Sequence, residues 1–216
     1  DLKIFEKSVS DKKRNVRLNI KKLDDANFAG TDKSSECVLI LTEGDSAKTM
    51  AITGISALGP SCRDIYGIFP LKGKLLNVKQ ASFKQLSTNE ELININKIIG
   101  LTQDTVSIKH LRYGKIMIMS DQDTDGYHIR ALLMNYLTHY WPAIISKDFI
   151  TALLTPIVKI QLKKDKNRDK NKDQEKDNDI IRFYKQNDYI KWSNENKSLI
   201  ESVKYYKGLA THNNKE

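Results

Sequence analysis

Apolar positions in this chain come in short runs separated by charged, turn-forming stretches. "CVLILTEG" (37–44) is a β-rich apolar run that stops at a turn, the pattern of a buried strand. "SAKTMAITGISALG" (46–59) places Ala47, Met50, Ala51 and Ile55 on one face, which predicts a helix capped by Asp45 or Ser46 and ended by Gly59. "DIYGIFPL" (64–71) predicts a second strand closed by Pro70, and "STNEELININKIIG" (87–100) a helix opened by a Ser/Thr-x-x-Glu box. "YGKIMIMSD" (113–121) is another buried strand. From 124 to about 145 a helix is expected, with Ile129, Leu132, Leu133, Tyr136, Leu137 and Tyr140 as its apolar stripe. Strands are expected in 149–160, 180–186 and 203–208. Alternating strands and helices argue for an α/β fold with a central, mainly parallel sheet flanked by helices, and 37–43 and 115–120 as its inner strands.

The remaining segments divide the chain. Residues 1–35 read as a polar, basic lead-in with a turn at Ala29–Gly30, 36–160 as the core, 161–180 as a charged insertion and 181–216 as a C-terminal extension. Within the insertion, 163–179 carries seven basic and six acidic side chains and nothing apolar, so it cannot contribute to a core and is expected to be a disordered hairpin.

Composition narrows the partners. The chain has 216 residues and a formal net charge of +9, which favours polyanions without proving them. Two cysteines, Cys37 and Cys62, form neither a disulfide framework nor a metal-ligand spacing. No apolar run approaches a membrane span, so no membrane partner is expected. The N-terminus lacks Met and a signal-peptide core, and the chain is read as a piece of a longer protein.

The chemistry concentrates in "IMIMSDQDTDGYHI" (116–129), where Asp121, Asp123 and Asp125 follow a strand on alternate positions. Asp-x-Asp-x-Asp-Gly opens a calcium loop, but the twelfth position is Leu132 instead of a bidentate Glu. A polar turn that caps the next helix would need one aspartate, not three mutually repelling ones. In the third reading, Glu43 and the aspartates end neighbouring strands at the ligand crevice of an α/β sheet. There the four carboxylates would converge. Asp121 and Asp123, roughly 6–7 Å apart along an extended backbone, would suit Mg²⁺.

"LILTEGDSAKTMA" and "IMIMSDQDTDGYHIRALL", with "KLDDANFAG", "YGIFPLKGKLLNV" and "KYYKGLAT" in order, resemble the Toprim domain of type IIA DNA topoisomerases, of the eukaryotic and large-DNA-virus type more than bacterial gyrase. The resemblance covers about 20–160 and 203–216. It implies the Toprim fold and a two-metal Mg²⁺ site, with Mn²⁺ or Ca²⁺ able to substitute. Glu43 and Asp121 would hold the catalytic ion, Asp121 and Asp123 the second, and Asp125 would support them. It also implies that Lys74 and Asn77 contact DNA, with Lys72 as a basic neighbour.

The implied reaction is reversible double-strand DNA cleavage and religation by transesterification, with a tyrosine from a downstream winged-helix domain and ATP used elsewhere in a homodimeric enzyme. Without those parts the chain is expected to be inactive alone. It would work in the nucleus, or in a virus factory or virion if viral. A binding module without catalysis and another Toprim enzyme, a primase or nuclease, are the competing readings; the latter lack "PLKGKLLNV" and "KYYKGL". Three departures from the family pattern stand out: Ala210 where a second glycine is usual, Tyr127 before His128, and the charged insertion.

Overall fold

The computed structural model describes residues 17–145, 148–163 and 179–209. These form two compact units that divide between Leu153 and Leu154. The expected boundary near 160 therefore moves back, because the predicted strand 149–160 is two strands in two sheets. Ile150–Ala152 closes the first sheet, Val158–Leu162 begins the second, and Pro156 lies between them.

The first unit is a parallel four-stranded sheet in the order β2-β1-β3-β4, with β1 Val38–Glu43, β2 Tyr66–Leu71, β3 Lys115–Met119 and β4 Ile150–Ala152. β1 pairs on both edges, and its central four residues are buried, which is why it reads as a continuous apolar run. Pro70 lies inside β2, not beyond it. β2 is an outer strand of the four, where a missing N–H is tolerated.

Helix α1 (Gly44–Leu58) follows β1 without a linker and buries Ala47, Ala51 and Ile55 at four-residue spacing. Its N-cap is Glu43, with no side-chain cap, so the expected caps Asp45 and Ser46 lie inside the helix. Gly59 ends it at φ 116°. A short helix α2 (Cys62–Ile65) leads into β2.

The predicted 87–100 helix is two: α3 (Phe83–Thr88) and α4 (Glu90–Ile99). Its expected capping box is replaced by one a turn earlier, Ser82 with Gln85, while Asn89 caps α4 by accepting the Leu92 N–H at 2.9 Å. Asn89 is the better acceptor at that position, and an extended Asn89 separates the two helices. Helix α5 (Thr124–Tyr140) buries the predicted stripe from Ile129 to Leu137. It stops at Tyr140, short of the expected 145, because Pro142 disfavours helical geometry at Trp141. The Trp141 indole is buried and donates to the Thr102 carbonyl at 2.7 Å.

Residues 17–35 of the lead-in are part of this unit. Leu18, Ile20, Leu23 and Phe28 pack on the core, and Asp24 exchanges backbone hydrogen bonds of 2.8 and 2.9 Å with Ile68. Asp25 pairs with the buried Arg112 guanidinium and accepts the Tyr113 hydroxyl at 2.5 Å, while the same hydroxyl accepts the Ala26 N–H at 3.1 Å. Arg112 also donates to the Ile98 carbonyl, so the cluster ties the lead-in to α4 and β3. Gly67 is needed beneath it: a Cβ there would lie 2.1 Å from the Tyr113 oxygen. Burial pushes the Cys37 thiol up to about 11, so it stays protonated at neutral pH.

The second unit is an antiparallel sheet in the order β6-β5-β7, with β5 Val158–Leu162, β6 Ile180–Phe183 and β7 Ile200–Tyr205. Helix α6 (Gln186–Glu195), absent from the sequence-based expectation, sets Tyr189 and Trp192 on the core of Val158, Ile160 and Phe183. The expected strand 180–186 ends at Phe183 because Lys185 is the N-cap of α6. The expected 203–208 strand ends at Tyr205, with Tyr206 buried just beyond it. The expected hairpin insertion falls mainly on 164–178, and that part, with Ala210, lies outside the described residues.

Asp25→Ala leaves a buried guanidinium without its carboxylate, which costs about 3–5 kcal/mol. Urea unfolding of the first unit should register a loss of that size. A change below about 1 kcal/mol would show that the cluster does not hold the lead-in in place.

Candidate metal centre

β1 runs to β2 on one side, and β3 lies on its other side, so the strand order reverses between β1 and β3. Crevices form at the carboxyl ends of such a pair. Glu43 ends β1, and Thr42 is in register with Met119, the last residue of β3. This register brings the chain's two acidic motifs together. One Glu43 carboxylate oxygen accepts the Asp121 backbone N–H at 3.1 Å.

Gly44 follows at φ 80°, which lets the chain turn from strand into helix with no intervening residue. The aspartate loop is equally tight. Asp123 is the N-cap of α5 and accepts the Gly126 N–H at 2.9 Å. Gly126 packs so close that a Cβ would stand 2.1 Å from the Asp121 carbonyl oxygen. Ser120 is fully buried beneath the loop. Arg130 donates to its hydroxyl at 3.0 Å and to Gln122 at 3.4 Å, and Gln122 donates to the Leu153 carbonyl at 3.2 Å.

Three of the four carboxylates are held by different contacts. Glu43 is half-buried against the Asp121 amide, Asp123 is occupied as a helix cap, and Asp125 is ion-paired with Lys74 at 2.9 Å. Among the described residues, no group of three or more His, Cys, Asp or Glu side chains closes on a single metal position. The expected convergence of all four is therefore looser than the sequence suggested: helix capping and the Lys74 pair hold two of the aspartates by other contacts.

Electrostatics still links the set. Burial raises the Glu43 carboxyl above its ordinary range, the Asp121 N–H partly offsets this, and the charges of Asp121, Asp123 and Asp125 raise it further. Lys74 holds the exposed Asp125 carboxyl below its ordinary range. A carboxylate that is hard to ionise beside other carboxylates, with only oxygen donors at hand, fits a hard divalent cation.

The other candidates lie nearby or farther along the β2 loop. Lys72 pairs with Glu90 at 2.9 Å, while its backbone N–H donates to Glu91 at 2.6 Å. Asn77 accepts from the Lys79 N–H at 3.3 Å and the Asn135 amide at 3.4 Å. An open cleft of 480 Å³ is lined by Lys22, Glu43, Gly44, Asp45, Pro70, Leu71, Lys72 and Gly73. Lys22 opens "KLDDANFAG", and Ser120, Gln122 and Arg130 lie within "IMIMSDQDTDGYHIRALL", yet their contacts at the site were not legible, because a motif shows which residues recur and not which of them touch.

The Toprim domain family matches residues 38–153, more than half of the chain. The chain belongs to the Toprim family. The C-terminal associated domain of TOPRIM matches residues 153–216, meeting the first match at the observed division between the units. The Toprim chain is 48% identical to DNA topoisomerase 2-alpha of Rattus norvegicus over 218 residues, covering 98% of this chain and 13% of that protein. It is 43% identical to DNA topoisomerase 2 top-2 of Caenorhabditis elegans over 220 residues, again covering 98% of this chain and 13% of that protein. It thus spans 13% of the length of these relatives. A crystal structure of the Plasmodium falciparum topoisomerase II DNA-binding, cleavage and re-ligation domain is similar at a TM-score of 0.78 and 45% identity, covering 93% of this chain and 26% of that one.

The raised Glu43 carboxyl has a stability consequence. A folded-state value above the unfolded one means that the native state binds the proton more tightly, so stability falls as pH rises from the ordinary carboxylate range through the raised one. At neutral pH, in a chelator, ionised Glu43 is a net cost. Glu43→Gln should keep the Asp121 hydrogen bond and raise the Tm of the metal-free protein. An unchanged or lowered Tm would contradict this account of the charge.

Proposed function

We propose that this chain is the metal-holding part of the DNA cleavage and religation site of an ATP-dependent type II DNA topoisomerase. The observation that carries the reading is the Glu43–Asp121 junction at the carboxyl ends of β1 and β3, which joins two acidic motifs far apart in sequence. The names of the relatives supply the enzyme class, and the net charge of +9 suits a DNA partner.

In this reading Glu43 and Asp121 hold Mg²⁺, which Mn²⁺ or Ca²⁺ can replace, and Asp121 with Asp123 holds a second ion. The bound metal supplies Lewis-acid stabilisation of the charge that develops on the leaving 3′ oxygen. A tyrosine hydroxyl from a winged-helix domain attacks the phosphodiester. The phosphorus–oxygen bond to the 3′ side breaks, and a 5′-phosphotyrosyl link forms. Resealing runs the same exchange backwards, and in this reading Glu43 assists proton transfer at the 3′ oxygen.

Asp125 supports the site through Lys74. Lys72, Lys74 and Asn77 fix the DNA backbone without reading its sequence. The working enzyme is a homodimer on double-stranded DNA, with ATP bound outside this chain and no membrane partner. It acts in the nucleus, or in a virus factory or virion if viral.

The test joins this chain to the winged-helix tyrosine and scores covalent DNA–protein product with Mg²⁺. Glu43→Gln and Asp121→Asn should each lower cleavage by at least about 100-fold, the scale of removing a preorganised charge-stabilising group. Asp125→Asn should cost less. Parent-level cleavage in both of the first two variants would overturn the reading.

A further inference from the structure

Lys22 stands where a lysine is costly. Its φ is 69°, and among the described residues it alone has a positive φ without being glycine. That conformation costs a side-chain-bearing residue about 1–2 kcal/mol. Lys22 is the third residue of a turn closed by the Leu23 N–H on the Ile20 carbonyl at 3.1 Å, a position that glycine or asparagine fills more cheaply.

The backbone around it is pinned without help from the Lys22 side chain. The Lys22 carbonyl accepts the Lys48 ammonium at 2.7 Å, and that ammonium also pairs with Asp24 at 2.7 Å. Asp24 is bridged to Ile68, and Asp25 is locked to Arg112. A glycine at position 22 would keep every one of these contacts.

What the side chain adds is one ion pair, to Asp45 at 2.5 Å, with the two side chains 45% and 65% exposed. A surface pair of this kind contributes about 0–1 kcal/mol and does not offset the backbone strain. Stability therefore does not account for lysine here. Strain held in place by surrounding structure points instead to a function at that position. The side chain lines the same cleft as Glu43, Gly44, Lys72 and Gly73. Its ammonium carries three donors, of which Asp45 takes one.

We propose that Lys22 contacts a backbone phosphate of the nucleic acid that enters this cleft. The lead-in, which precedes the residues matched by the Toprim family, thereby contributes a phosphate-binding group to the site. The inference rests on the reading of the cleft as a DNA site. Its chemistry is that of a point charge on a phosphodiester oxygen, neutral to sequence. Asp45 holds the ammonium in position, and a phosphate shares or takes over that cation.

The experiment measures duplex binding by this chain, using fluorescence anisotropy of a labelled DNA over a salt series with Mg²⁺ present. Lys22→Gly relieves the backbone strain and removes the charge, so failure to fold does not confuse the result. It should weaken binding about tenfold near 0.1 M salt and flatten the log–log salt slope by about one unit. Lys22→Arg should restore both. Unchanged affinity and slope in Lys22→Gly would overturn the proposal. So would an arginine variant that behaves like the glycine one, because that result points to local geometry instead of charge. Metal binding at Glu43, followed separately by Mn²⁺ titration, reports on the metal reading alone. A chain that binds metal yet has no salt-dependent DNA affinity would sink the Lys22 contact while leaving the metal reading intact.

Discussion

Glu43 must be held half-buried beside three aspartates, and the site depends on how that repulsion is managed. Four carboxylates in so short a space would push the loop apart if all faced one point. Instead, three of them are held by separate contacts. Glu43 accepts a backbone N–H, Asp123 accepts one at the start of α5, and Asp125 lies against Lys74. Burial and the charges of Asp121, Asp123 and Asp125 together raise the Glu43 carboxyl above its ordinary range. A divalent cation beside Glu43 and Asp121 would relieve that remaining repulsion.

The scaffold around this demand is rigid for identifiable reasons. Parallel pairing of β1 with β3 fixes the height of Glu43 against the aspartate loop. Close packing of Gly126 on the Asp121 carbonyl and the Arg130 bond to Ser120 fix the loop from below. On the other side, the Asp25–Arg112–Tyr113 cluster and the Lys48 staple bring the lead-in up to the cleft. Buried ion pairs are weak evidence for stability gained, since desolvation consumes much of the attraction. Here the pair serves to fix one segment in one place, and Lys22 reaches the cleft as a result.

Much of this was legible in the sequence. β1 and β3 announce themselves as unbroken apolar runs because both of their faces are covered. The α5 stripe is visible because its burial follows helical period. Glu43 and Asp121 could be singled out because each ends such a run. What failed were features decided by tertiary contact or local competition. Ser87 and Glu90 look like a capping box, but Asn89 won the cap. Residues 149–160 look like one strand, but Pro156 splits them between two sheets. Helix α6 carries mostly polar residues, with Tyr189 and Trp192 as its few anchors, and little in its local pattern predicts it. The strained backbone at Lys22 has no sequence signature, because nothing in "IKKLDD" marks a left-handed residue.

The central claim is that Glu43 and Asp121 together bind a divalent cation. Mn²⁺ titration of this chain, followed by electron paramagnetic resonance of the unbound ion, tests it most directly. The account predicts specific binding in the parent chain and a loss of more than about tenfold in affinity, or about 1.4 kcal/mol, for both Glu43→Gln and Asp121→Asn. Parent-like affinity in either variant would contradict it.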